Sequence, residues 1–398
     1  MMEAVLSLGD LLRKEQRAYA ARLLIDSMGL EMELTCLKAP GCEAEGLRVP
    51  GAPRVSCPEL DEIFASATLL REMCCRLDCM GRLDEATLTW MVSKPWIDLL
   101  GIELGEKRLP VPGVHRRVET SFRVVISHDI DRTSGLEPAG LVKSLLHSLG
   151  LNLVWPQMSG ALSQEIWLRN LDRLLDCERR HGIGAHYFML SGPYGLRRYS
   201  SRYDIKWAQS RKMVGMILDA GMKIGLHGSY YARDHNSYAV ERKRLEDAVC
   251  APVVCHRNHY LRFDPLRIWG QLEAAGIEYD FSIGFNSRIG FRSACARAHR
   301  TFDLANNRPS RVISIPLLFM DGILFRDERP VVLHQLRQAL EEVKRVNGCV
   351  SLLFHPELFL VDSRLFTVFE DILDICREQG ADLSGRLPDQ PDSTAVTG

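Results

Sequence analysis

The chain has 398 residues, of which 46% are hydrophobic and 25% are charged, and its formal net charge is −1 at pH 7. This composition is typical of a soluble globular protein, and the length allows two domains or one large barrel with an appendage. The balanced charge excludes a protein that binds nucleic acid through bulk positive charge, and no apolar run reaches the roughly 18 residues of a membrane span.

The first part of the chain, residues 1–115, carries mainly helical patterns, with apolar residues at helical spacing over residues 8–28 and 58–80. The stretch between them is rich in Gly and Pro and predicts a loop. No group of catalytic side chains stands out in this part. We therefore predict a small accessory domain, mainly helical or α/β, with a proline-containing linker at residues 108–115.

Regular alternation of strands and helices follows over residues 116–386. The predicted strands are short apolar runs at residues 123–127, 184–190, 222–226, 252–255, 278–282, 312–318 and 350–354. The predicted helices lie at residues 163–180, 207–220, 239–249, 265–275, 331–346 and 364–379. Seven strands that are mostly followed by helices indicate parallel βα units, so the predicted fold class is α/β, a distorted (β/α)7 barrel. The polar residues 387–398 predict a disordered tail.

The first strand of this barrel ends in two acidic residues. The apolar residues 124–126 lead into Asp129 and Asp131, which point the same way out of the pleat because side chains alternate along a strand. Two carboxylates this close repel each other unless one is protonated or a cation neutralises them. A divalent metal would bind one carboxylate and leave the other free to act as a base.

Acidic or histidine side chains follow most of the other predicted strands: His227, His259, Asp280, Asp321 and His355. In βα barrels the reactive residues gather on the loops that leave the carboxyl ends of the strands. One Asp and two His would form a three-ligand metal site that keeps a position open for water. The pattern therefore predicts a metal-dependent hydrolase.

Six short motifs occur in order at these strand ends: SHDID, GLHGSY, RNHYLRF, DFSIGFNSRIGFR, IPLLFMDG and LFHP. In this order they resemble the polysaccharide deacetylase family, which is carbohydrate esterase family four, the chitooligosaccharide deacetylase homology group. The resemblance covers residues 123–379. More narrowly, the chain resembles diverged bacterial members with an N-terminal extension, which are often found among enzymes of surface-glycan biosynthesis.

The resemblance implies a catalytic role for five residues of this chain. Asp129 matches the catalytic base, Arg257 the residue that orients it, and His355 the general acid. Asp280 lies in the motif that tunes the acid, and the peptide N–H of Tyr260 would help to bind the oxyanion. This division is chemically sensible, because a carboxylate can take a proton from a metal-activated water and a His can protonate the leaving amine near neutral pH.

The resemblance also implies metal ligands, with one departure. Asp131 and His227 match the first two ligands, but the family usually has a second His four residues after the first, and here that position is Tyr231. The candidates for the missing ligand are His259 and His235. We prefer His259 because it leaves a different strand end and could face the metal from the side opposite His227.

Taken together, the sequence predicts a zinc-dependent enzyme that removes an N-acetyl group from an amino sugar of a surface glycan or its precursor. Cobalt, nickel or another first-row ion could replace zinc in an oxygen-and-nitrogen site. The first alternative is a hydrolase of a non-sugar amide or cyclic imide. The second alternative is a catalytically inactive binding protein on the deacetylase fold, which the Tyr at position 231 favours.

The predicted location is the cytoplasm. The N-terminus is unlike a secretory signal, and the twelve cysteines include no CxxC pair, which favours reduced thiols over a disulfide framework. A cytoplasmic enzyme would act on a glycan precursor, such as a nucleotide-linked or lipid-linked sugar, rather than on mature cell wall.

Three histidines are predicted to be structural. His128 and His256 are neighbours of site residues on their strands and should point to the opposite face, and His186 lies inside the second strand. Asp321 could touch substrate, but a turn role before the following glycine is at least as well supported.

Overall fold

The computed structural model of the protein describes residues 122–133, 160–195, 199–262, 264, 267–293, 295–303, 306 and 308–388, together with residues 93, 95 and 98. The predicted accessory domain and its linker lie outside the described residues except at those three positions. Of the predicted tail, only Leu387 and Pro388 are described, and the Pro388 carbonyl accepts a hydrogen bond of 2.8 Å from the Tyr279 hydroxyl.

The described residues form one mixed sheet flanked by helices. The strands are β1 Arg123–Ile130, β2 His186–Leu190, β3 Lys223–Gly228, β4 Cys255–Asn258, β5 Tyr279–Asp280, β6 His299–Asp303, β7 Arg308–Ser314, β8 Leu317–Met320 and β9 Cys349–Phe354. The α-helices are α1 Gly160–Arg180, α2 Ala208–Asp219, α3 His235–Val249, α4 Ile268–Ala274, α5 Arg329–Arg345, α6 Leu358–Val361 and α7 Leu365–Glu378. Short 3-10 turns follow β4 at His259–Leu261 and β8 at Asp321–Phe325.

The strand order is β6-β7-β5-β4-β3-β2-β1-β9-β8. Every neighbouring pair is parallel except β6 and β7, which are antiparallel. The sheet curves into a half-barrel with β6 and β8 at its edges, so the predicted α/β barrel architecture is confirmed. Because the parallel strands run the same way, their carboxyl ends meet at one end of the half-barrel.

Besides shifts of a few residues at strand ends, three differences from the seven predicted strands affect the sheet or the site. The predicted strand at 312–318 is divided into β7 and β8 around Pro316, which lacks the N–H that a continuous ladder needs. Strand β6 was missed because its sequence, HRTFD, is mostly polar. Strand β4 covers Cys255–Asn258 rather than residues 252–255, so it includes Arg257 and ends near the site.

Alternation along β1 separates two apolar layers. Val124 and Ile126 belong to the large core between the sheet and the helices, whereas Val125 packs inside the half-barrel with Phe188 and Phe281. The odd-numbered positions of β1 therefore face the interior. The same alternation carries Asp129 to the interior of the half-barrel at its carboxyl end.

Helix α1 covers one side of the sheet with the predicted apolar face. Trp167, Leu171 and Leu174 are completely buried in the core between helix and sheet. Gly182 follows the helix with φ +62°, a left-handed conformation that glycine adopts without strain and that commonly ends helices. Among the described residues, none of the helices is both long and apolar enough to cross a membrane.

The three histidines predicted to be structural lie in buried polar contacts. The His128 ring is 2.6 Å from a carboxylate oxygen of Glu178 on α1, and the His186 ring is 3.0 Å from the carbonyl of Gly385. Burial lowers the pKa of His186 to about 4. The His256 ring is 2.8 Å from Asp280, on the face of β4 opposite Arg257.

Candidate metal centre

Three side chains that can bind a metal converge at the carboxyl end of the half-barrel. The Oδ1 atom of Asp131 is 3.2 Å from Nε2 of His227 and 3.4 Å from Nε2 of His259, and the three ligand atoms all lie within 4.8 Å of one another. They come from the ends of β1, β3 and β4. His235, the alternative ligand, is instead an exposed residue at the start of α3 and is not part of this group.

The hydrogen bonds of His227 indicate that a cation belongs between these ligands. Its Nδ1 is 2.9 Å from the carbonyl oxygen of Arg257 and must donate a proton to it. In the neutral ring, Nε2 then presents a lone pair towards Asp131 Oδ1, which is itself buried without a hydrogen-bond partner. Two acceptors facing each other require a proton or a cation between them. One carboxylate and two imidazoles are also a common zinc donor set, so these residues fit a divalent metal.

The directions of the pKa shifts show that Asp131 and His227 stabilise opposite charges on each other. Burial alone would raise the pKa of Asp131, but attraction to His259 and His227 holds it well below its usual value. Burial alone would lower the pKa of His227, but the Asp129 and Asp131 carboxylates raise it. A bound cation would replace the proton on His227 and keep Asp131 ionised.

A second group of possible ligands lies elsewhere among the described residues, at Cys177, His181 and Glu370. Arg377 Nη1 is 2.5 Å from Nδ1 of His181, and burial raises the pKa of the Cys177 thiol to about 11. A neighbouring guanidinium and a protonated thiol both disfavour a cation. The centre at Asp131 is therefore the better-supported site.

Asp129 lies beside the metal ligands and is held by Arg257. Its Oδ1 accepts a hydrogen bond of 2.8 Å from Nη1 of Arg257, while Oδ2 is 3.7 Å from Nε2 of His227. Only 3% of Asp129 is exposed. One oxygen is thus anchored and the other faces the metal ligands, which is the geometry that a base needs.

Arg257 is held in turn by the strands around it. Its Nη2 donates to Ser127 Oγ at 2.9 Å and its Nε donates to the carbonyl of Phe281 at 3.1 Å. The guanidinium lies 4.5 Å from the ring centre of Phe188 and 5.6 Å from that of Phe281. Because Arg257 is completely buried, its positive charge is compensated by Asp129 and by the two aromatic faces.

Tyr260 adopts a backbone conformation that is rare for an aromatic residue. Its φ of 61° and ψ of 20° lie in the left-handed region, and such strain concentrates at functional sites. The residue follows His259 directly, so its peptide N–H lies next to a metal ligand in the chain. The residue is 60% exposed, and the centroid of its ring is 4.3 Å from that of the His259 ring. The oxyanion role of this N–H stays a prediction.

His355, which follows β9, forms hydrogen bonds with Asp321 and not with Asp280. Its Nδ1 is 2.7 Å from one carboxylate oxygen of Asp321, and its backbone N–H donates to the other at 2.6 Å. Asp280 accepts hydrogen bonds from His256 and Ser282 instead. Sequence reasoning gave Asp321 a turn or substrate role, although its place at the end of the strand beside β9 could have revealed the pairing.

Comparison with protein-family models found no match, and comparison with curated proteins found none either. Solved structures do match. A candidate polysaccharide deacetylase from Mycobacterium smegmatis is 14% identical, with 69% of this chain and 91% of that chain covered and a TM-score of 0.45. A family 4 carbohydrate esterase from Streptomyces lividans, in complex with acetate, is 11% identical, with 65% and 90% covered and a TM-score of 0.34.

A third match is a family 4 pseudoenzyme from Bacillus anthracis, which is 13% identical, with 70% of this chain and 68% of that chain covered and a TM-score of 0.33. The chain is similar in fold to polysaccharide deacetylases. A mutant of the same pseudoenzyme is described as having restored enzymatic activity.

Glu357 is a further acidic residue beside the site that sequence reasoning missed. Burial and the nearby Asp131 carboxylate raise its pKa to about 8. Its Oε2 atom is buried without a hydrogen-bond partner. Glu357 therefore carries a proton over much of the neutral range, and its only sequence signal is its position two residues after His355.

Asp321 is expected to set the alkaline limit of any activity that uses His355 as an acid. Burial would lower the pKa of His355, but the adjacent Asp321 carboxylate holds it well above the usual 6.5. An acid is lost as the pH rises through its pKa, so Asp321→Asn should move the alkaline fall of kcat/KM to lower pH. The pH profile of kcat/KM measures this shift.

The control for this shift is Asp327→Asn, which removes an exposed carboxylate six residues further along the chain. That variant should keep the wild-type profile. An alkaline limb that stays in place in Asp321→Asn would show that His355 is not the group that titrates there.

Proposed function

We propose that this protein is a metal-dependent hydrolase that removes an N-acetyl group from an amino sugar of a surface glycan or its precursor. The observation that carries the proposal is the convergence of Asp131, His227 and His259 beside a separately anchored carboxylate, Asp129. Zinc is the first candidate for the metal because the donor set is one oxygen and two imidazole nitrogens.

The metal would polarise the acetamide carbonyl and lower the pKa of the attacking water. Asp129 acts as the base, because its Oδ2 faces the metal ligands while its Oδ1 stays bonded to Arg257. The buried guanidinium of Arg257 therefore fixes the direction from which the proton is removed.

Hydrolysis of an amide also needs an oxyanion donor and an acid for the leaving amine. The peptide N–H of Tyr260, in its left-handed turn after His259, is assigned to the oxyanion. His355 is assigned to the amine, since its Nδ1 is bonded to Asp321 and its Nε2 is left to donate. The Asp321 carboxylate raises the pKa of His355 despite burial, which favours the protonated, proton-donating form of the ring.

A cluster of aromatic side chains, of which Tyr260 is exposed and Tyr199 and Tyr230 are partly buried, supports a sugar substrate. The rings of Tyr199 and Tyr230 are stacked with centroids 4.2 Å apart, and the Tyr260 ring stands edge-on to Tyr199 at 5.1 Å. Aromatic rings present flat apolar faces on which a pyranose ring can pack. This cluster lies next to the metal ligand His259 through the contact between the His259 and Tyr260 rings.

Acetate release tests the proposal directly. Zinc-loaded protein should release acetate from N-acetylhexosamine derivatives, and Asp131→Ala protein treated in the same way should not. Stoichiometric zinc without acetate release from any N-acetylated sugar would contradict the deacetylase assignment. Release of ammonia or acid from non-sugar amides or imides alone would favour the first alternative, and a failure to bind zinc in excess would favour the inactive binding protein.

A further inference from the structure

We propose that a cavity connected to the metal centre through Tyr230 and Tyr260 binds a phosphoryl group of the substrate, so that the enzyme acts on a phosphorylated amino sugar. This inference rests on the proposed deacetylase function and names its substrate class. The phosphoryl group could belong to a sugar 1-phosphate, to a nucleoside diphosphate sugar or to a lipid-linked sugar diphosphate.

The cavity has a volume of about 230 Å³ and lies between the loop after β3, the end of β4 and the start of α4. Three arginines line it: Arg233 from the loop after β3, and Arg262 and Arg267 from the connection between β4 and α4. Tyr238 and Asn258 also line it, and both are buried, with the Tyr238 hydroxyl 3.1 Å from the Asn258 amide oxygen. The cavity therefore has a buried polar wall beside three exposed cationic side chains.

Among the described residues, the positive charge of this lining is only partly balanced. Asp264 is the one carboxylate among the lining residues, so the lining carries three positive charges and one negative charge. No ion pair among the described residues involves any of the three arginines. By contrast, nearby Arg242 on the neighbouring helix is paired with Glu246 at 2.8 Å.

Three guanidinium groups in one concavity repel each other unless an anion lies between them. Planar guanidinium groups bind phosphate oxygens with two parallel hydrogen bonds, and this makes arginine the usual residue for phosphate recognition. A pocket for a whole small-molecule ligand has about 300–1,000 Å³. The cavity, at about 230 Å³, is thus suited to one group of a larger substrate.

Continuous contacts connect the cavity to the metal centre. Arg262 donates a hydrogen bond to the carbonyl of Tyr230 and lies 4.9 Å from the centre of its ring. The centroids of the Tyr230 and Tyr260 rings are 6.0 Å apart, and the Tyr260 ring contacts the His259 ring. A sugar whose acetamido group is at the metal can therefore pack on the tyrosines and place its phosphoryl group at Arg262.

The test compares four acetylated substrates with the zinc-loaded protein: N-acetylglucosamine, its 1-phosphate, its uridine diphosphate and its polyprenyl diphosphate in detergent micelles. At least one phosphorylated form should exceed the neutral sugar in kcat/KM by about 10-fold or more, the range of a charge-assisted hydrogen bond. The form with the highest value identifies the source of the phosphoryl group. Equal kcat/KM for all four substrates would overturn the proposal.

Variants of the cavity arginines test whether the preference for phosphorylated sugars arises in the cavity. In Arg233→Gln/Arg267→Gln protein, the ratio of kcat/KM for the phosphorylated and neutral sugars should fall by about 10-fold or more. Arg211→Gln is the matched control, since it removes an exposed arginine of α2 that lies outside the cavity, and its ratio should equal that of the wild type. An unchanged ratio in the double variant would contradict the site.

A binding measurement separates failure of this inference from failure of the proposed function. Calorimetry with glucosamine 1-phosphate, which has no acetyl group to lose, should give a Kd about 10-fold or more lower for the wild type than for the double variant. If acetate is never released but this difference persists, the phosphoryl site stands and the deacetylase assignment fails. If acetate is released but the two proteins bind the compound equally, the phosphoryl site fails alone.

Discussion

Asp129→Asn protein is expected to bind metal like the wild type and to lose kcat by about 10²- to 10⁴-fold, the usual contribution of a general base. The amide oxygen can still accept the hydrogen bond from Arg257 that Oδ1 accepts at 2.8 Å. The NH2 group that replaces Oδ2 has no lone pair with which to take a proton from water. Metal content by mass spectrometry and steady-state acetate release measure the two effects separately.

Asp131→Ala protein provides the contrast, because Asp131 is the carboxylate within 3.4 Å of both imidazoles. It should lose metal and activity together. Normal turnover by Asp129→Asn would show that another group is the base. Loss of metal from Asp129→Asn would show instead that Asp129 is itself a ligand.

His259→Ala protein is expected to bind zinc at least about 100-fold more weakly, since losing a direct ligand should exceed the 10- to 100-fold effect of an outer-shell partner. His259 Nε2 is 3.4 Å from Asp131 Oδ1, and His259 is only 7% exposed. Without this ring, Asp131 and His227 would form a two-ligand site. A competition titration with a chromogenic zinc chelator measures the affinity.

The matched control is His235→Ala, which removes the other candidate for the missing ligand. His235 is the exposed first residue of α3, so its loss should leave zinc affinity unchanged. Zinc release by the His235 variant together with tight binding by the His259 variant would reverse the ligand assignment. Either outcome would be obtained without any assay of activity.

Much of the fold could be predicted from the sequence because buried parallel strands and amphipathic helices have distinct apolar patterns. That Asp129 and Asp131 face the same side likewise follows from the two-residue period of a strand. His259 could be preferred to His235 as the third ligand because His259 directly follows a predicted strand. The structure places His259 beside His227, with ring centroids 5.0 Å apart.

Other parts of the site depend on strand order, which the sequence does not display. Asp321 meets His355 because β8 pairs with β9, and β9 lies beside β1 although the two strands are at opposite ends of the barrel sequence. The cavity arginines are equally hidden, since Arg233 and Arg267 are separated by more than thirty residues that fold back through α3 and β4.

Strand β4 supplies two different sets of contacts from four residues and the turn after them. Arg257 and His259 face the interior of the half-barrel, whereas His256 and Asn258 face Asp280 and Tyr238 on the other side. A single-residue insertion or deletion in β4 would exchange the two sets. It would bury His256 against Asp129 and turn the guanidinium outward. A change in the length of this segment should therefore disturb both sets of contacts at once, whereas a single substitution disturbs one of them.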